Sequence, residues 1–102
     1  MDRLARLKAL VQENPHDQFA RYGLAMELAG QGQLEESWDE FQSLMSVDSE
    51  YLPTYFQAGQ LLERLNRVEE ARQVYHRGIA VAKRRGDLRT CSELESALNL
   101  LD

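Results

Sequence analysis

The sequence predicts an all-α fold of about six helices, and three observations carry the prediction. Sliding the chain against itself by 34 residues superimposes Tyr22 on Phe56, Leu28 on Leu62, Leu34 on Val68 and Glu35-Glu36 on Glu69-Glu70, and the match continues without a gap through Ser37 and Ala71, Phe41 and Tyr75, and Met45 and Ile79. Within each unit apolar residues recur every three or four positions, the period of a helix with one face against a core. The pieces also account for the whole chain: a half unit over 1–17, units over 18–51 and 52–85, and a last helix over 86–102.

The N-terminal half unit reads as one helix, with Leu4, Leu7, Leu10 and Val11 at helical spacing. Asn14-Pro15 stops it, because proline disfavours helix in the residue before it. Asp17 is a candidate N-cap for the second helix, whose apolar face is Phe19, Tyr22, Leu24, Ala25 and Leu28, and Gly30-Gln31-Gly32 breaks that helix. The third carries Leu34, Ser37, Trp38, Phe41, Leu44 and Met45, with Glu35-Glu36 favourably placed in its first turn. Pro53 suits the first turn of the fourth, and Leu61, Leu62 and Leu65 form its face. Asn66 stands where the first unit has Gly32, and both residue types accept the left-handed conformation that ends a helix. Val68, Ala71, Val74, Tyr75, Gly78, Ile79 and Ala82 continue as a long fifth helix up to Gly86. Gly86-Asp87 is a stop followed by a cap, and the stripe Leu88, Cys91, Leu94, Leu98 and Leu101 makes a C-terminal capping helix.

The chain has 102 residues and a mass of 11.8 kDa, the size of one domain. A domain of this length buries about two thirds of its unfolded surface. With 43% hydrophobic residues, 28% charged residues and two prolines, the composition is that of a soluble globular protein rather than a disordered or fibrous one. No apolar run approaches the roughly 18 residues of a membrane span, and no membrane partner is expected. The start, Met-Asp-Arg-Leu-Ala-Arg-Leu, lacks the apolar core of a secretory signal, so the expected location is cytoplasmic. One cysteine, Cys91, excludes an intramolecular disulfide.

The net charge of −5 argues against nucleic acid and conceals a polarity. Residues 18–51 carry one arginine against seven acids, while 52–85 carry seven bases against three acids. Glu35, Glu36, Asp39 and Glu40 lie on the third helix, and Arg72, Arg77, Lys83, Arg84 and Arg85 on the fifth. Two readings fit: solvated faces with acids near helix starts and bases near helix ends, or a surface complementary to a partner or a second copy.

Catalysis needs grouped functional residues, and none group here. His16 falls in a turn and His76 on a helix, neither with a second ligand at metal-binding spacing. Cys91 sits on an apolar stripe, where a thiol is buried and inert. No glycine-rich phosphate loop is present, and the adjacent acids Glu35-Glu36 and Glu69-Glu70 point about 100 degrees apart on a helix. No enzyme activity, metal or cofactor is expected.

One helix pair per 34 residues resembles the tetratricopeptide repeat family, and in particular its short stand-alone bacterial members. The first unit supplies Tyr22, Leu24, Ala25, Leu28, Ser37, Phe41 and Leu44 to the family pattern, with Tyr22 as the large residue of the first helix. The second supplies Tyr55, Ala58, Gly59, Leu62, Ala71, Tyr75 and Gly78, where small residues let paired helices approach. The family's closing proline is Pro15 in the half unit and is replaced by Ser49 and Lys83 downstream.

The resemblance implies a right-handed α-α superhelix of helical hairpins whose first helices line a concave groove. Such grooves hold an extended or helical peptide of a partner protein. The implied lining is Phe19, Tyr22 and Met26 in one unit, an apolar half, and Phe56, Gln57, Gln60, Glu63 and Arg64 in the next, a polar half. Rings and methionine suit an apolar anchor. The competing reading is that Phe19 and Tyr22 cover the N-terminal helix as core. Family members that dock heat-shock chaperones hold a carboxylate with lysine and asparagine; Tyr22, Met26 and Gln57 occupy those slots here, which argues against that role. The alternative function is a structural or self-associating subunit of a larger complex, using its helical ends and charged convex surface. The chain is expected to be a monomer or weak homodimer, with an apolar patch of Leu4, Leu7, Leu10, Val11 and an exposed Trp38 for a second copy to cover.

Overall fold

Short polar side chains start three of the helices, and left-handed residues follow three. The structure, a computed structural model, describes residues 2–101, which contain six α-helices and no strand: α1 (Arg3–Glu13), α2 (Gln18–Gly30), α3 (Leu34–Val47), α4 (Pro53–Arg64), α5 (Val68–Arg85) and α6 (Leu88–Asn99). Asp2 accepts from the amide of Ala5 at 2.7 Å, and Asp17 from the amides of Phe19 and Ala20 at 3.0 and 3.1 Å. Asp87 accepts from the Thr90 amide at 3.0 Å and from its hydroxyl at 2.9 Å, and these bonds hold its carboxyl below the usual range.

Gly32, Asn66 and Gly86 take positive φ angles of 80°, 59° and 69°. After each, an amide donates back across the helix end: Gln33 to Leu28, Arg67 to Leu62 and Asp87 to Ala82, all at 2.9 Å. Lys83 stands in the closing-proline slot, so nothing stops α5 before Gly86, and it runs for 18 residues.

The described residues divide into two compact units between Tyr51 and Leu52. In the first, Val11, Ala20, Leu24 and Leu28 form a core against which Leu4 and Leu7 pack. Leu10 is not part of this face and stays 49% exposed. Leu4, Leu7 and Val11 follow the three-and-four spacing, which turns Leu10 about 100 degrees away. Between α2 and α3, the Ser37 hydroxyl donates to the Ala25 carbonyl at 2.7 Å, so a serine fits at this small-residue position with its polar group satisfied.

Two expectations fail in this unit. Trp38, expected at the surface, is only 7% exposed. It lies three and seven residues before Phe41 and Met45, on the same buried stripe of α3. The large residue of the first helix is Arg21 rather than Tyr22: Arg21 is the residue 34 positions before Tyr55. Its Nη1 donates to Glu40 Oε1 at 2.8 Å and its Nη2 to the Pro15 carbonyl at 3.0 Å.

In the second unit α4 packs on α5 and α5 on α6, and the first pairing turns on two glycines. A Cβ on Gly59 would lie 2.7 Å from Cδ1 of Tyr75, and one on Gly78 would lie 2.6 Å from Cβ of Tyr55 and 2.9 Å from Cδ1 of Leu94. The two buried tyrosine rings therefore occupy space that only a glycine leaves open. The guanidinium of Arg77 sits 5.9 Å from the Tyr55 ring centroid. On α6 the buried residues are Cys91, Leu94 and Ala97. Leu88, expected on this stripe, is 79% exposed. As the first helical residue its side chain leans toward the N-terminus, off the packed face.

Leu62 is fully buried, so Leu62→Ala is expected to cost about 2–5 kcal/mol in chemical denaturation. Gly59→Ala drives a methyl into the Tyr75 ring and should cost about 1–3 kcal/mol by the same measurement. Asp17→Ala removes two amide acceptor contacts and should cost about 0.5–2 kcal/mol.

Candidate partner-binding site

The α2 face of the first unit presents rings. Phe19 meets Tyr51 edge-on at 5.8 Å between centroids, Tyr51 meets Tyr22 at 5.5 Å, and Tyr22 meets Phe41 at 6.2 Å. These are the offset and perpendicular arrangements that ring quadrupoles favour. Phe19 is 68% exposed and so is not core. Tyr22 and Met26 are half-buried. Burial first, and then the neighbouring Tyr51, push the Tyr22 hydroxyl above its usual range. Tyr51 joins Phe19 to Tyr22, and sequence reasoning missed it because it lies in the connection before α4, outside any helical stripe.

In the second unit an open cleft of about 470 Å³ lies between Phe56, Gln60 and Glu63 of α4 and Glu93, Ser96, Ala97 and Leu100 at the end of α6. Its exposed surface is mostly apolar, and Leu100 is 86% exposed. The Tyr75 hydroxyl reaches this edge of α4 from below. It donates to Glu63 Oε2 at 2.5 Å and accepts from Gln60 Nε2 at 2.7 Å. Gln60 Nε2 also lies 3.4 Å from Glu63 Oε2, so three side chains from two helices close one ring of hydrogen bonds.

The structure thus places Phe56, Gln60 and Glu63 together, whereas Gln57 is half-buried and Arg64 exposed, and neither lines the cleft. The α6 wall was not legible beforehand. Ala97 lies at the edge of the buried stripe that marks the helix, and Glu93, Ser96 and Leu100 look like ordinary surface residues.

Cys91 is buried and donates its thiol hydrogen to Glu95 Oε1 at 2.9 Å. That bond and burial push the thiol up, away from reactivity. His16 lies exposed in the turn before α2 and His76 exposed on α5.

Burial, followed by the bond to Glu63 and its negative charge, pushes Tyr75 well above the usual 10.0. The folded chain therefore keeps a proton that the unfolded chain releases near pH 10. The stabilisation is fully present below that pH and is lost as pH rises toward the raised folded value. The denaturation midpoint should fall from about pH 9 to 11, and should fall less steeply in Tyr75→Phe.

No family model matches the sequence, nor does any curated protein. Among solved structures, a tetratricopeptide repeat domain protein from Salinibacter ruber, determined in solution, is 35% identical, with 87% of this chain and 90% of that one covered and a TM-score of 0.82. PcrH, in complex with the chaperone binding region of PopD, is 15% identical with a TM-score of 0.88, covering 96% of this chain and 74% of its own. The Yersinia enterocolitica type III secretion translocator chaperone SycD is 15% identical with a TM-score of 0.87, covering 96% and 68%. The latter two share the fold; the Salinibacter protein is similar in sequence along nearly its whole length. With six helices among the described residues, a 34-residue period and that relative, the chain belongs to the tetratricopeptide repeat family.

Proposed function

We propose that the chain is a protein-interaction module that holds a peptide or helix of a partner protein. Its partner-facing residues are Phe19, Tyr22 and Met26 on α2, and Phe56, Gln57, Gln60, Glu63 and Arg64 on α4. The observation that carries this reading is the open cleft of the second unit, where apolar surface from Phe56, Ala97 and Leu100 lies beside the side-chain acceptors of Gln60 and Glu63. Apolar area left in water beside a few oriented polar groups is the usual form of a recognition site. The exposed Phe19, held edge-on by Tyr51, offers a second anchor of low entropy cost. Support by likeness of fold comes from PcrH, whose structure holds the chaperone binding region of PopD, and from the translocator chaperone SycD.

On this reading the activity is assembly rather than turnover, and the protein works in the cytoplasm as a monomer or weak homodimer. No helix among the described residues is long and apolar enough to cross a membrane. A structural-subunit role would draw instead on Leu10, the exposed apolar residue of α1.

Affinity capture followed by mass spectrometry identifies the partner. The triple variant Phe56→Ala, Gln57→Ala, Gln60→Ala is expected to lose that capture by about ten-fold or more while its helical circular dichroism is retained. Unchanged capture by the triple variant would refute the assignment. If self-association is the activity, Leu10→Glu lowers the mass seen by light scattering across a concentration series and the triple variant does not.

A further inference from the structure

We propose that the cleft between α4 and α6 recognises a lysine or arginine of the bound segment, presented next to an apolar side chain. This rests on the peptide-holding reading above and names the chemistry of its occupant.

The first support is charge. Residues 52–85 carry seven bases against three acids, yet the charged residues lining the cleft are Glu63 and Glu93, with no base among them. Glu63 comes from the basic repeat and Glu93 from the acidic C-terminal segment, and with both walls contributing only a carboxylate a cation fits there where an anion does not. The nearest competitor for Glu93 is Arg89 at 3.2 Å, on a side chain that is 90% exposed. An exposed helical pair of this kind contributes little and gives way to a better-placed cation.

The second support is preorganisation. Glu63 is not a loose surface carboxylate: the Tyr75 hydroxyl fixes its Oε2, and the tyrosine ring is itself fixed over Gly59 in the core. Its Oε1 accepts no hydrogen bond among the described residues and is left for a ligand. A carboxylate already held in one rotamer loses little entropy when it accepts from an ammonium or guanidinium. The third support is the neighbouring apolar surface of Phe56, Ala97 and Leu100, which takes the side chain beside the cation. The volume of about 470 Å³ holds a few side chains of a peptide rather than a folded surface.

The test selects a displayed library of random peptides on the full chain. The enriched peptides are then measured by fluorescence anisotropy against wild type, Glu63→Gln, Glu93→Gln and Tyr75→Phe. The expected enrichment is for Lys or Arg adjacent to a large apolar residue. Replacing that cation by norleucine or citrulline should weaken binding to wild type by about ten-fold or more, the scale of a charge-assisted hydrogen bond. Glu63→Gln should lose the same discrimination. Tyr75→Phe should lose part of it, because the ring stays and only the hydroxyl that orients Glu63 goes. Recovery of a Lys→Glu peptide by Glu63→Lys would confirm the contact.

Enriched peptides with no excess of cations, or a Glu63→Gln variant that still prefers the cationic peptide over its neutral analogue as strongly as wild type does, overturn the proposal while leaving the peptide-holding function intact. An empty selection on wild type overturns both. Self-association of the free chain that Glu63→Gln and Glu93→Gln abolish also overturns it, because the occupant is then a second copy.

Discussion

The second unit depends on one steric constraint: an aromatic ring from one helix lies against the bare backbone of its neighbour. Gly59 on α4 receives the Tyr75 ring of α5, and Gly78 on α5 receives Tyr55 of α4, so the contact is reciprocal. Interiors pack at crystal-like density, and a methyl at either glycine has no space to enter without separating the helices. Two large buried rings supply the apolar area, and two absent side chains set the distance at which it is buried. Leu94 also approaches Gly78, so α6 is positioned by the same close approach.

The site inherits its geometry from that constraint. Once the ring of Tyr75 is fixed over Gly59, its hydroxyl must emerge one and four residues further along α4, beside Gln60 and Glu63. A hydroxyl leaving a core needs a partner, since an unsatisfied one costs free energy comparable to a lost hydrogen bond. Gln60 and Glu63 meet that need, and in doing so their own rotamers are set. The core and the edge of the cleft thus share a side chain: the ring belongs to the first and the oxygen to the second.

What the sequence disclosed follows from this division between periodic and local causes. The helices, their caps at Asp17 and Asp87, their left-handed stops at Gly32, Asn66 and Gly86, and the close packing at Gly59 and Gly78 all repeat at fixed spacing or rest on one residue's backbone chemistry. Features that depend on a direction within a helix were harder to see. Leu10 and Leu88 are leucines near the right spacing whose side chains turn or lean off the packed face, and Trp38 is a large ring whose phase is buried. Of the groove residues inferred from the resemblance, Phe56, Gln60 and Glu63 share one cleft, while Phe19 and Tyr22 share a ring cluster through Tyr51. The α6 wall left no trace in the sequence, because half a cleft made of Ser, Ala and an exposed Leu has no pattern of its own.

The first unit shows what happens to the same positions when the polar group is removed. Thirty-four residues before Gln60, Glu63 and Tyr75 stand Met26, Ala29 and Phe41, so all three members of the hydrogen-bonded set are apolar together. A tyrosine at position 41 beside Met26 and Ala29 would carry an orphan hydroxyl; Phe41 avoids it. The exchange at the other contact is equally consistent: Tyr55 with Gly78 is replaced by Arg21 with Leu44, and the arginine takes its charge to Glu40 and to the Pro15 carbonyl. A ring that needs a glycine is exchanged for a thin side chain that tolerates a leucine. The two repeats therefore satisfy one backbone plan with two chemistries. The polar network of the second unit is a self-consistent alternative rather than a decoration, and that is why its carboxylate is held in place at the edge of the cleft.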